Sequence, residues 1–219
     1  MKAAVYQIRV CQNPACGLRF PWVMGQPFGD RCPVCLGDTI PVFESASTAE
    51  MGGETRAEVN RDRLAVLVDN VRSAWNVGSI LRSADGFGFG HVYLCGITPT
   101  PDNAAVRKTA LGAAESVTWS AHRDAVKLMH QLKDQGHYII ALEAVEDAVP
   151  LAELKLGIPG PETIVLIVGN EVTGVDPGLL QLAQQIVCLP MQGRKRSFNV
   201  AVAFGAAAYQ IGRMLGGLT

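Results

Sequence analysis

TIVLIVG (163–169) sets five aliphatic residues, Ile164 to Val168, in an unbroken row between Thr163 and Gly169. A strand with one wet face alternates apolar and polar side chains, so a row without a polar position points to a strand covered on both faces. Working outward, similar short runs recur at LAVLVDN (64–70), HVYLCG (91–96) and HYIIALE (137–143), and again at QIVCLP (185–190). Helical patterns at about 76–87, 103–113, 121–135, 176–184 and 197–214 separate these runs. Alternation of this kind predicts an α/β domain with a parallel sheet, and the loops that follow its strands are the natural ligand sites.

The domain is expected to span 61–219, behind a polar linker at 46–60 and a cysteine-rich segment at 1–45. Of 219 residues 48% are hydrophobic and 18% charged, the composition of an ordinary globular protein. A net charge of −1 argues against a uniformly basic nucleic-acid coat. It leaves room for local basic patches, of which Arg61 and Arg63, Arg107 and Lys108, and Arg194-Lys195-Arg196 are examples. The start of the chain, MKAAVYQIRVC, lacks a signal-peptide core, and the longest apolar stretch, 198–211, is too short to span a bilayer. The expectation is a cytoplasmic protein without membrane contact, its cysteines reduced.

Four of the six cysteines fall within the first 35 residues, as Cys11-x4-Cys16 and Cys32-x2-Cys35. Two such pairs, each beside turn-forming Pro and Gly, suit a closed tetrahedral zinc site. A zinc ribbon is the expectation, because so short a segment cannot build a sufficient hydrophobic core. A ribbon without metal and merely buried thiols are the alternatives. Cys95 and Cys188 read as core residues inside apolar runs. Arg9, Arg19, Arg31, Phe20 and Trp22 offer charge and stacking surfaces to RNA, with packing around the metal as the competing reading.

Three segments carry polar residues that local structure does not demand. In NVGSILRSADGFG, Asn76 is either a helix cap or a functional amide, and Arg82 sits among Ile80, Leu81 and Ala84, which predicts that it is partly drawn inward. In IVLIVGNEVTGVDPGLL, Gly169 permits close approach of a ligand to the backbone, and Glu171 lies beyond the strand end. Asp176-Pro177 there reads as a helix start. In CLPMQGRKRSFNVAVAFG, a basic loop leads to Ser197 as a candidate helix cap, with Asn199 two positions on. Glycines 86, 88 and 90 read as a helix stop, not a dinucleotide-binding turn.

NVGSILR (76–82), GNEVTG (169–174), and LPM with SFN (189–191 and 197–199) together resemble the three motifs of the SpoU/TrmH family of the SPOUT class. KTALGAAESVTW (108–119) also looks like that family, and the resemblance covers roughly 60–219. Phe198 and Leu189 stand where the family usually has Leu and Ile. The resemblance implies a parallel-sheet SPOUT fold with a deep C-terminal trefoil knot, a homodimer with its active site at the subunit interface, and S-adenosylmethionine held by knot loops. By matching positions, Gly169, Leu189 and Phe198 would contact the cofactor, with Leu142 as an addition that no sharp motif fixes. The implied activity is methylation of a ribose 2′-hydroxyl in structured RNA, tRNA or rRNA. Arg82 is the implied catalytic residue, as proton acceptor or as holder of phosphate and developing alkoxide, with Asn76, Glu171, Ser197 and Asn199 orienting the reactants. A non-catalytic RNA-binding protein and base methylation are the competing readings.

Overall fold

The computed structural model describes residues 5–27, 30–46, 61–157 and 163–215. The chain divides into two compact units, Met1–Ala57 and Glu58–Thr219. The expected linker lies, from residue 47 on, outside the described residues.

The first unit is a three-stranded antiparallel sheet of β1 (Val5–Cys11), β2 (Arg19–Val23) and β3 (Thr39–Ala46), with β1 in the centre. A tight turn is built into each cysteine pair. At the first, the Cys16 and Gly17 amides both donate to the Asn13 carbonyl at 2.9 Å. At the second, the Leu36 amide donates to the Cys32 carbonyl at 2.9 Å, and Leu36 itself takes a left-handed φ of 60°.

The second unit holds a seven-stranded parallel sheet. Its elements run β4 (Leu64–Asp69), α1 (Ala74–Gly86), β5 (His91–Cys95), α2 (Ala104–Ala110), α3 (Ala113–Ser116), β6 (Thr118–His122), α4 (Ala125–Asp134), β7 (Tyr138–Leu142), β8 (Val149–Pro150), β9 (Ile164–Val168), α5 (Pro177–Leu182), β10 (Gln185–Cys188) and α6 (Val200–Met214). The strand order is β6-β5-β4-β9-β7-β10-β8, every pairing parallel. Side-chain alternation splits the aliphatic strands between two faces. Val66, Val68, Ile140 and Leu166 pack with Val77, Ile80 and Leu81 of α1 and Phe204 and Ile211 of α6. Ala65, Leu67, Ile139 and Ile167 pack with Leu128 and Met129 of α4 and Leu179 of α5. The five apolar runs are therefore all strands, and the α/β expectation holds.

Several boundaries differ from the sequence reading. The helix expected over 121–135 begins at Ala125, capped by the Asp124 carboxylate on the Lys127 amide at 2.9 Å, and the residues before it form the edge strand β6. The helix expected over 103–113 breaks where Leu111 turns left-handed at φ 49°. Asn199, not Ser197, caps α6, accepting from the Ala201 amide at 2.9 Å. Ser73, not Asn76, caps α1, which leaves the Asn76 amide free for other partners. Asp176 and Pro177 open α5 as expected. Gly78 has a packing role: a Cβ there would collide with the Val106 carbonyl and Thr109 of α2, so its absence lets α1 and α2 close on each other. No helix among the described residues is long and apolar enough to cross a membrane.

Candidate active site at the carboxyl ends of the strands

The loop after β9 is tied down from three directions. The Asn170 side chain accepts from the Val172 and Thr173 amides at 2.9 and 3.1 Å and donates to the Asn70 carbonyl at 2.6 Å. The Glu143 carboxylate, just beyond β7, accepts from the Val175 amide at 2.8 Å. Asp69, at the end of β4, accepts from the Asp176 amide at 3.0 Å and from the Asn70 amide group at 2.7 Å. Burial pushes the Asp69 carboxyl above its usual range, and the Asp176 amide only partly offsets this. Gly169 serves the same loop: a Cβ there would strike the Gly174–Val175 backbone. The close approach that its missing Cβ permits is to its own chain, which holds the loop against the strand end.

So fixed, the loop presents Glu171 to the start of α1. One carboxylate oxygen accepts from the Arg72 amide at 3.1 Å, and the other accepts from the Ser73 amide at 3.1 Å and the Asn76 side-chain amide at 3.0 Å. The Asn76 carbonyl oxygen in turn accepts from the Asn199 amide at 3.0 Å. Partial burial pushes the Glu171 carboxyl up, but the donors from Arg72, Asn76 and Ser73 outweigh it and hold it below its ordinary value. One hydrogen-bond chain thus joins Asn76 to Glu171 and Asn199, which lie 95 and 123 positions further along the sequence.

Beside that chain lies a cavity of about 380 Å³, of the size that takes a nucleoside-like ligand. Leu142, Gly169, Glu171, Leu189, Ser197, Phe198 and Asn199 all line it. A shallower depression bounded by Arg72, Ser73 and Asn76 shares Glu171 with it. Arg82 lines neither depression and is exposed, because it projects from the face of α1 opposite Val77, Leu81 and Ala84. The expectation that it is drawn inward is corrected. Cys188 lines the cavity and is only half-buried, so it is not the core residue expected, whereas Cys95 is fully buried and its thiol is pushed up to about 12 by that burial.

Sequence reasoning passed over Glu143, Arg72 and Asp69, whose partners lie across the sheet, and over the lining role of Arg196. Glu143 did carry a signal, an acidic residue directly after an apolar strand.

In the first unit the Sγ atoms of Cys11, Cys16, Cys32 and Cys35 lie within 4.8 Å of one another, with Cys11 and Cys35 at 3.4 Å and Cys16 and Cys32 at 3.7 Å. Tetrahedral zinc with bonds of about 2.3 Å sets its sulfurs about 3.8 Å apart, so the four donors fit such an ion. Arg9 is not a surface for RNA. It is 8% exposed, donates to Thr39 and Gln7, and lies 5.5 Å over the Trp22 ring. For Arg9 the packing alternative holds, while Trp22 stays half-buried beside it. Of the basic clusters, Arg61 pairs with Asp85 and Arg107 binds loop carbonyls, while Arg194, Lys195 and Arg196 are exposed with no ion pair among the described residues.

Residues 63–209 match the model of the SpoU rRNA Methylase family. The chain is 28% identical over 164 residues to the tRNA (guanosine(18)-2′-O)-methyltransferase of Aquifex aeolicus, covering 71% of this chain and 72% of the relative. It is 31% identical over 149 residues to the 23S rRNA (guanosine(2553)-2′-O)-methyltransferase RlmP of Bacillus subtilis, covering 68% of this chain and 58% of that one. Among solved structures, the AdoMet-bound rRNA methyltransferase of Sinorhizobium meliloti superposes with a TM-score of 0.65 at 23% identity, covering 73% of this chain and 59% of the other, a likeness of fold.

Proposed function

The chain belongs to the SpoU rRNA methylase family, and on that premise we propose that it transfers a methyl group from S-adenosylmethionine to a ribose 2′-hydroxyl of structured RNA, tRNA or rRNA. The observation that carries this reading is the hydrogen-bond chain Glu171–Asn76–Asn199, which joins three distant segments at the edge of the cavity.

The cofactor would lie in the cavity, held by the backbone around Leu142, Gly169 and Leu189 with Phe198 against its apolar parts; when bound, it supplies an electrophilic methyl group. Glu171 accepts from three N–H donors, which suits it to fix Asn76 in place. Asn76, Asn199 and Ser197 then offer polar atoms at the mouth, where the ribose would be oriented for in-line attack. The attacking hydroxyl gives its proton to solvent or to an RNA phosphate. A guanidinium is a poor proton acceptor, so the role suited to Arg82 is to hold phosphate and stabilise the developing alkoxide.

Because Arg82 stands outside the cavity of its own subunit, a second subunit is part of the proposal. Exposed Val202 and Tyr209 on α6 support a homodimer. The trefoil knot belongs with it: β7 lies between β9 and β10, and α6 returns against α1 and β7, as a chain threaded there would. The four cysteines are read as a structural zinc site, remote from the chemistry in role, and the unit they hold as an RNA-binding element. A tRNA or rRNA substrate supports a cytoplasmic location as part of the same proposal.

Nucleoside mass spectrometry of tRNA and rRNA incubated with protein and S-adenosylmethionine should reveal a 2′-O-methylnucleoside; none formed overturns the reading. Arg82→Ala should abolish turnover, by about 100-fold or more, while calorimetry shows cofactor affinity unchanged. Full activity in that variant removes Arg82 from the mechanism.

A further inference from the structure

Trp75 is 57% exposed, next to Asn76 on the first turn of α1. A large aromatic ring left in water at the rim of a polar site is unusual, since burying it gains more than burying most side chains. Its setting is cationic. Lys108 of α2 lies 5.9 Å from the ring centre, brought there by the α1–α2 approach that Gly78 permits. Arg72 lies three residues before Trp75 and borders the depression shared with Glu171. Arg82 lies seven residues after it, within about 20° of the same helix face and about 10 Å along the axis. Arg72, Arg82 and Lys108 are all exposed and form no ion pair among the described residues.

We propose that Trp75, flanked by Arg72 and Lys108, is a stacking subsite for the nucleotide next to the methylated ribose. An exposed π-face set among unpaired cations matches the two chemistries of an RNA strand, a flat base and an anionic backbone. A second copy of this chain fits less well: a two-fold contact centred on Trp75 would set these cations against their own counterparts. The seven-residue spacing puts Trp75 and Arg82 on one stripe, so a strand whose phosphate reaches Arg82 can lay a neighbouring base on the indole. The subsite rests on the methyltransferase reading for its position in the reaction, but not for its affinity.

The test uses the full chain and two probes, unfractionated tRNA and purified 23S rRNA, with binding measured by filter retention without cofactor and methyl transfer measured separately. Trp75→Ala should weaken binding of the favoured RNA about 10-fold and raise KM accordingly, with kcat within about twofold. Trp75→Phe should restore most of that affinity, and RNA should quench the fluorescence of wild type more than that of Trp75→Phe. Sedimentation of Trp75→Ala should show an unchanged assembly. Unchanged RNA affinity in Trp75→Ala overturns the subsite even if methylation proceeds, and so does dissociation of the assembly with RNA affinity preserved. RNA binding that depends on Trp75 without any methyl transfer keeps the subsite and overturns the methyltransferase reading. No binding to either RNA overturns both.

Discussion

Among the described residues, the buried apolar side chains of the first unit are Cys11 and Cys32, accompanied by buried Gln7, Arg9 and Thr39. The α/β unit instead buries Val66, Leu67, Leu166, Ile167, Phe204 and many more aliphatic side chains, with Asp69 and Thr98 as its buried polar residues. Each fully buried aliphatic side chain contributes about 1.5–3 kcal/mol, so the larger unit holds itself together by excluding water. The smaller unit has no such interior. On the zinc reading proposed above, its order would come from a metal held by the four thiols and from the hydrogen bonds of Arg9, whose guanidinium ties β1 to β3 through Thr39. Two stretches of one chain thus obtain a unique structure by different physics.

Removing metal is the harshest way to break that contrast. With structural zinc contributing about 10–16 kcal/mol in small domains, a chelator or Cys32→Ser should unfold the first unit and leave the second intact. Limited proteolysis followed by mass spectrometry should find residues 1–45 digested and the remainder protected. A first unit as resistant without metal as with it would defeat the zinc reading. Next in size, Leu166→Ala should destabilise the α/β unit by about 3 kcal/mol in a denaturant melt, with no change in zinc content. A loss under 1 kcal/mol would show that this interior is not the source of stability.

These two effects also mark what was legible in the sequence. Five apolar runs announced the strands of the larger unit, because residues buried on both faces leave no polar position to confuse the period. The paired cysteines announced the smaller one. β6 was not legible: TWSAH is an edge strand with polar side chains, and it lies where a helix pattern was about to begin. Nor were the caps. Asn199 reads as a poor helix former until its place at the boundary is known, and Ser73 gives no sign of displacing Asn76. Of the site, the motif residues could be named, but the anchors Asp69 and Glu143 depend on partners 107 and 32 residues away. Arg9 stayed open between two readings because a buried cation in so small a unit depends on the Thr39 and Trp22 it meets only after folding.

Acid sharpens the contrast within the α/β unit. Glu171 is held below its ordinary value of 4.5, so its contribution is present above that value and is lost as pH falls through its lower folded value. Asp69 acts oppositely: burial raises it, and ionising it costs stability as pH rises through its folded value. Urea midpoints of wild type should therefore drop more steeply below pH 4.5 than those of Glu171→Gln. Parallel curves for the two would show that Glu171 does not hold α1 to the loop. The smallest effect belongs to the same group near neutrality, where Glu171→Gln should cost about 1 kcal/mol or less.

The loop from Gly169 to Asp176 is fastened to the ends of three strands, through Asp69 and Asn70 at the end of β4, Glu143 after β7 and its own departure from β9. A segment moored at so many points does not fray; it opens only when the strand ends open with it. In deuterated solvent, the Gly174, Val175 and Asp176 amides should therefore lose their protons in step with those of β9. An enzyme of this design would admit its ligands by moving the exposed 196–198 side of the cavity, keeping the opposite wall as rigid as the sheet.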